Sequence, residues 1–137
     1  MNRRACIGML CGGCVVPTLS EDTNTPEIVP CTHDVLLEAP LLEMEIGSSL
    51  YWEKPEELLR LLIIRTKERE WKAVWRICTH GNCDVEWSAQ QHLVVCPCHD
   101  STFSVDGFVL EGPATRDLSY FPICFDEDAQ QFFVQTS

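Results

Sequence analysis

The sequence has few basic residues. Lys and Arg together number 10 against 21 Asp and Glu, which gives a formal net charge of −11 over 137 residues. Nucleic-acid-binding surfaces need clustered Lys and Arg, so this composition argues against such a partner. It argues equally against docking of the folded domain on anionic lipid. Apolar residues make up 45% of the chain, which is enough for the core of one domain.

The sequence also lacks an apolar run that could cross a membrane as a helix, which takes about 20 residues. The stretch Ala5–Val16 falls well short of that length. Because it follows the pair Arg3-Arg4, residues 1–19 are predicted to be a twin-arginine-like export or targeting segment. The alternatives are the Cys-rich N-terminus of a cytosolic protein and a lipid attached to Cys11 or Cys14.

Residues 20–34 are rich in Thr, Ser, Pro and acids and show no periodicity, so they are predicted to be a flexible linker. Residues 35–137 are predicted to form one domain. No long segment of it has helical periodicity, and its short, closely spaced strands predict an all-β fold, an antiparallel sandwich or small barrel. The predicted strands are Leu59–Arg65, Trp71–Ile77, Leu93–Val95, Phe103–Val105, Phe108–Leu110, Pro122–Phe125 and Gln131–Val134, with a short helical turn at Glu53–Leu58.

Cysteine, by contrast, is abundant, with nine in the chain. Four lie in two short boxes, and the other five are Cys6, Cys11, Cys14, Cys31 and Cys124. An odd remainder leaves at least one thiol unpaired or modified. Cys31 and Cys124 could form a second bridge, but no spacing rule supports it, so the prediction is that both are free and buried.

The two boxes are C-T-H-G-N-C at Cys78–Cys83 and C-P-C-H-D-S-T-F at Cys96–Phe103. Each follows directly on a predicted strand, and each supplies one thiolate and one imidazole, from Cys78 and His80 and from Cys96 and His99. Two such loops leaving adjacent strands can clamp one metal centre. The other two histidines, His33 and His92, lie outside both boxes and are predicted to be exposed or locally hydrogen-bonded.

Two thiolates and two imidazoles suit a [2Fe–2S] cluster in which two histidines replace two cysteines on one iron. In that arrangement Cys78 and Cys96 hold the inner iron, and His80 and His99 hold the outer iron near the surface. The alternative is structural zinc, which also takes two cysteines and two histidines. Zinc sites usually pair C-x₂₋₄-C with H-x₃₋₅-H, whereas each box here mixes the two ligand types.

The boxes resemble those of the Rieske iron–sulfur proteins, usually C-T-H-L-G-C and C-P-C-H-G-S-x-Y/F. The segment Phe103–Pro113 is similar to the family's strand–turn–strand and the Gly-Pro loop that covers its cluster. The resemblance implies a two-loop cluster-binding subdomain with one [2Fe–2S] cluster, the four ligands named above, and surrounding contacts from Ser101, Phe103, Gly112 and Pro113. It also implies a disulfide between Cys83 and Cys98, a mark of the high-potential branch found in cytochrome bc-type complexes and arsenite oxidase small subunits.

Three departures from the usual boxes stand out. Gly81-Asn82 replaces Leu-Gly, and the usual leucine shields the cluster. Asp100 replaces a glycine beside His99, where an aspartate can tolerate a left-handed backbone. Phe103 stands where many quinol-oxidising members have tyrosine, and its ring donates no hydrogen bond, so the resemblance predicts a lower reduction potential than that of the tyrosine-containing relatives.

The resemblance implies one-electron transfer by a redox subunit of a respiratory or periplasmic complex similar to quinol:cytochrome c reductase. The expected partners are cytochrome b- or cytochrome c-like proteins, with quinol as a further candidate, on the periplasmic side of the cell membrane and associated with it through the N-terminus. The alternatives are the small subunit of an arsenite oxidase-like molybdoenzyme, whose large subunit would be the partner, and a non-redox zinc module. No catalytic residue is predicted. A Rieske oxygenase needs a second iron held by two histidines and a carboxylate. Only His33 and His92 remain outside the boxes, and the chain is too short for a catalytic domain.

Overall fold

A computed structural model describes residues 31–136. The predicted export segment, most of the linker, and Cys6, Cys11 and Cys14 lie outside the described residues, and the boundary near Val35 stays a prediction. Within residues 31–136 no helix is long and apolar enough to span a membrane. The strands are β1 (Val35–Leu37), β2 (Ser49–Lys54), β3 (Leu59–Lys67), β4 (Glu70–Trp75), β5 (Glu86–Ser88), β6 (Leu93–Val95), β7 (Thr102–Phe103), β8 (Val109–Glu111), β9 (Tyr120–Asp126) and β10 (Gln131–Val134), with 3₁₀ turns at Leu41–Glu43 and Pro55–Glu57.

Six of these strands form one antiparallel sheet in the order β1-β10-β9-β4-β3-β2, and four form a second sheet in the order β5-β6-β7-β8. The all-β antiparallel fold is therefore confirmed. So is the hairpin of β3 and β4, in which Leu61 pairs with Trp75 and Ile63 with Ala73.

Strand β4 ends two residues earlier than predicted. The amide of Arg76 donates to the carbonyl of Arg60 on β3, but its own carbonyl accepts the amide of Val85 from beyond the first box. Ile77 then makes only an isolated bridge with Asp84. The chain thus leaves the sheet to form the two-stranded stem of a loop.

The β7–β8 hairpin is also shorter than predicted. Residues 104–108 form its turn, in which the amide of Gly107 donates to the carbonyl of Ser104 and Gly107 has a φ of 91°. A left-handed backbone at this point requires glycine, which is why the Asp-Gly pair marked the turn correctly.

Strand β3 separates two hydrophobic cores. Leu61 and Ile63 face the core that contains β1 and β10, whereas Leu62 and Ile64 face the core that contains Cys78 and Cys96. Because side chains alternate along a strand, burial of both faces requires the nearly unbroken apolar run of β3. The second core is what carries the two boxes.

The prediction for Cys31 and Cys124 was wrong, because the two form a disulfide with 5.5 Å between their Cα atoms. The residues before β1 lie against β9, where Nε2 of His33 is 2.6 Å from Oδ2 of Asp126. Strand pairing brings together cysteines that are 93 positions apart, and sequence spacing gives no sign of this.

Candidate metal centre

The first box forms a loop on a paired stem. Inside the Ile77–Asp84 bridge, the amide of Cys78 donates to the carbonyl of Cys83 at 2.8 Å. The Cys78 side chain faces the second core, and that residue is only 4% exposed. His80 follows at the exposed tip. The loop therefore directs its thiol inward and places its imidazole at the surface.

An ion pair holds the stem of this loop. Nε of Arg76 lies 3.1 Å from Oδ1 of Asp84, and the guanidinium lies over the ring of Tyr51 at 4.9 Å. The Tyr51 hydroxyl donates to the carbonyl of Val85 at 2.8 Å. These contacts tie the stem to β2. Sequence reasoning missed them, although the opposite charges of Arg76 and Asp84 flank the box directly.

The second box is a tight turn. The amide of Cys96 donates to the carbonyl of Ser101 at 2.8 Å, and the amide of Asp100 donates back to the carbonyl of Cys96 at 3.0 Å. Asp100 has a φ of 61°, the left-handed conformation that aspartate tolerates and that the usual glycine would adopt freely. Cys96 is buried and His99 is exposed, so this loop repeats the arrangement of the first.

The two loops meet. Cys83 and Cys98 form a disulfide with 6.4 Å between their Cα atoms, and Cys78 and Cys96 are free, buried thiols. The rings of His80 and His99 are 4.7 Å apart between centroids. The site thus has an inner pair of thiols, an outer pair of imidazoles and a covalent clamp beside them.

The two thiols interact with each other. Burial raises the pKa of the Cys96 thiol most, and the hydrogen bond and charge of Cys78 raise that pKa further. Backbone hydrogen bonds from Cys98 and His99 to the Cys96 sulfur lower it. Thiolates in such a place need a cation for compensation, which two ferric ions would supply.

Buried residues enclose the site from below. Ser101 and Phe103 have no exposed surface, and Oγ of Ser101 accepts the amide of Ala114 at 3.0 Å. That bond joins the second box to the segment that follows Gly112 and Pro113, which are both exposed. The hydroxyl proton of Ser101 remains available for donation, since the serine accepts in this contact.

The donor arrangement matches a two-iron cluster. Its thiols and its imidazoles form two separate pairs, one buried and one exposed. A Cys₂His₂ zinc site needs four donors around one point. A [2Fe–2S] cluster instead needs two protein ligands on each of two irons, which matches a thiol pair beside an imidazole pair.

His33 and His92 do not belong to the site. His33 pairs with Asp126, and its ring meets Phe133 edge-on at 4.5 Å between centroids. His92 is exposed, and its ring centroid lies 6.2 Å from that of Trp87. The structure therefore brings together the two box histidines and leaves the other two elsewhere.

Fold and site together define a small all-β iron–sulfur protein that carries one binuclear cluster. A family model described as the Rieske [2Fe-2S] domain matches residues 40–122, which is more than half of the chain. The protein belongs to the Rieske [2Fe-2S] family, and its cofactor is one [2Fe–2S] cluster.

Known relatives agree with this assignment. The chain is 41% identical over 56 residues to a cytochrome b6-f complex iron-sulfur subunit of Synechococcus sp. (strain JA-3-3Ab), a match that covers 41% of this chain and 33% of the relative. The chain thus spans about a third of the length of that relative. It is similar to the plasma membrane Rieske protein PetC3 of Synechocystis PCC 6803, with 29% identity, a TM-score of 0.55 and coverage of 64% of this chain and 86% of that one.

The fold also matches a chain of a hyperthermophilic respiratory Complex III, with 20% identity and a TM-score of 0.55 over 95% of this chain and 93% of that one.

Proposed function

We propose that Cys78 and Cys96 ligate the inner iron of the cluster and that His80 and His99 ligate the outer iron. The observation that carries this proposal is the pairing of donors by depth, with both thiols buried and both rings exposed and 4.7 Å apart. The Cys83–Cys98 disulfide supports it, because it holds the two loops together independently of the metal.

The ligand assignment is tested by comparing His99→Ala with His92→Ala. Both remove an exposed imidazole, but His92 lies outside the site. We expect purified His92→Ala to keep two irons and two sulfides per chain and an EPR signal on reduction, whereas His99→Ala loses the wild-type signal. Stoichiometric zinc in a colourless wild-type protein, or an unchanged signal in His99→Ala, would contradict the assignment.

We further propose that the protein transfers single electrons as a redox subunit of a complex similar to quinol:cytochrome c reductase. When bound, a cluster with two neutral imidazole ligands supplies a one-electron couple at roughly −150 to +300 mV. The chain contributes burial of the thiolates and exposure of the imidazoles, so that electrons enter and leave at the edge formed by His80 and His99. The name of the cytochrome b6-f relative favours this complex over a molybdoenzyme partner.

We propose a membrane-associated location on the periplasmic side, reached through the twin-arginine-like segment. The support is the Arg3-Arg4 pair and the similarity to PetC3, a plasma membrane Rieske protein.

Redox titration of the purified protein, followed by EPR, tests the electron-transfer role. A one-electron midpoint inside the range above supports the role, and a cluster that cannot be reduced reversibly contradicts it.

A further inference from the structure

A pocket of about 430 Å³ lies directly beside the first ligand loop. Residues 78–82 of that loop line one side, and Arg116, Asp117 and Ser119 line another, with Trp75 and Ile77 completing it. The two sides are joined by a hydrogen bond in which Oγ1 of Thr79 donates to the carbonyl of Arg116 at 2.6 Å. His80 and Arg116 thus share one concave, solvent-open surface.

Gly81 keeps this pocket open. A Cβ atom built at Gly81 would meet no atom within 4 Å, so the space that a side chain would fill is empty. Gly81 also has none of the left-handed backbone that would demand glycine. The absence of a side chain therefore serves no local backbone need, and its consequence is access to the region beside His80.

Arg116 lines the pocket and forms no ion pair among residues 31–136. It is the only Lys or Arg that follows Arg76 in the sequence. Among the described residues, the arginines 60, 69 and 76 each form a salt bridge, and Arg65 donates to backbone carbonyls, but Arg116 contributes only its carbonyl oxygen to a hydrogen bond. Its exposed guanidinium is left with five donors for a ligand.

The neighbouring carboxylate is partly engaged. Asp117 also lines the pocket, and its Oδ1 accepts the amide of Val109 at 2.8 Å. One carboxylate oxygen is therefore directed toward β8. Asp117 keeps its negative charge in this contact, so the pocket is lined by one anion and one cation. Since a guanidinium fork matches the geometry of carboxylates and other oxyanions, Arg116 is the group in this pocket that can bind one.

We propose that this pocket, the Arg116 pocket, binds a carboxylate group on the surface of the partner protein that exchanges electrons with the cluster. The inference rests on the proposed electron-transfer function and adds the charge of the contacting group. It was not evident from a net charge of −11, which by itself suggests a basic partner. The attraction of an anionic group depends on Arg116 alone. Arg116 lines the same pocket as His80, through which electrons leave.

The test measures oxidation of the reduced protein by two small probes of opposite charge. Ferricyanide is a trianion and tris(phenanthroline)cobalt(III) is a trication, and each takes one electron from the cluster to give ferrocyanide or the cobalt(II) complex. Stopped-flow absorbance gives the second-order rate constant for each at low ionic strength. The variants are Arg116→Gln and, as matched control, Lys54→Gln, which removes a cation that does not line the pocket.

Arg116→Gln should slow ferricyanide about three- to tenfold, and leave the cobalt probe unchanged or faster, because one nearby charge is lost. The effect should shrink with added salt and should be much smaller in Lys54→Gln. Gly81→Leu, which fills the opening, should also slow ferricyanide. Equal effects of Arg116→Gln and Lys54→Gln, or equal slowing of both probes, would overturn the proposal. Failure of the wild type to reduce either probe would instead overturn the electron-transfer function itself.

Discussion

The two disulfides should stabilise the protein in different ways, because they close loops of very different length. Cys31 and Cys124 are 93 positions apart, whereas Cys83 and Cys98 are 15 apart. Loop-closure entropy in the unfolded chain grows with the logarithm of this separation. This relation predicts that the first bridge stabilises the folded state by about 4.6 kcal/mol and the second by about 3 kcal/mol.

Removing the long-range bridge in Cys31→Ser/Cys124→Ser should leave the folded state in place. The residues beside it are held separately, since His33 contacts Asp126 and the amide of Thr136 donates to Asp34. Neither cysteine belongs to the core that contains Cys78 and Cys96. The free energy of unfolding should therefore fall by about 4.6 kcal/mol, while the cluster's absorption, EPR spectrum and midpoint potential stay as in the wild type.

Removing the short bridge in Cys83→Ser/Cys98→Ser should affect cluster retention more than the free energy of unfolding. These cysteines lie on the loops of the two boxes. Without the disulfide the two loops can move apart, which exposes the edge of the cluster. The half-life of the cluster absorbance in the presence of an iron chelator should shorten strongly. The free energy of unfolding should fall by no more than about 3 kcal/mol.

Guanidinium unfolding followed by tryptophan fluorescence gives the free energy of unfolding. Bleaching of the cluster absorbance by an iron chelator gives the half-life of the cluster. Each double variant serves as the control for the other. A larger loss of unfolding free energy from the short bridge than from the long one would refute the loop-length argument. Bleaching in Cys31→Ser/Cys124→Ser that is as fast as in Cys83→Ser/Cys98→Ser would refute the separation of the two roles.

Two further substitutions test single positions. Gly107→Ala should lower the free energy of unfolding by about 3 kcal/mol or more, because a Cβ there would lie 2.5 Å from the carbonyl oxygen of Leu118 at a φ of 91°. Gly47→Ala is the matched control: its φ of 88° carries the backbone cost of about 1–2 kcal/mol, but no atom lies within 4 Å, so an equal loss in both variants would refute the steric argument. Phe103→Tyr should raise the midpoint potential by tens of millivolts, because a hydroxyl at this fully buried position can donate a hydrogen bond toward the cluster. For one electron, about 1.4 kcal/mol corresponds to 59 mV. No rise in protein-film voltammetry would contradict this prediction.

The sequence could predict which residues meet at the candidate site because the relevant residues lie close together in the chain. Each box carries a thiol and an imidazole within a few positions, and strands of apolar residues precede both. Asp100 was expected to tolerate a left-handed backbone, and the structure has it there. What the sequence could not show is how deep each donor lies, because burial depends on the packing of Cys78 and Cys96 against β3.

The fold was less accessible where the pattern is weak. Strand β2 was not predicted, because its side chains alternate only between exposed and half-buried positions and so show little contrast. Strands β1 and β5 have three residues each, too few to show a period. Strand β4 ends where the amide of Val85, from the far side of the first box, donates to the carbonyl of Arg76. The local sequence does not predict a hydrogen bond to so distant a residue.

The division between buried and exposed residues at this site separates two properties that a redox protein must adjust. Ser101 and Phe103 are fully buried beside the thiols, so changes there act on the potential through hydrogen bonds and polarity. Arg116 and Asn82 are exposed, and a Cβ at Gly81 would meet no atom within 4 Å, so we expect changes there to act on what approaches His80. The two groups are joined through the backbone, since Oγ1 of Thr79 donates to the carbonyl of Arg116 and Oγ of Ser101 accepts the amide of Ala114. A side-chain change at Arg116 keeps both bonds, so we expect the choice of partner to vary while the potential is preserved. A chain that keeps the ligands and Ser101 but replaces the shielding leucine by glycine is what such independent adjustment would produce.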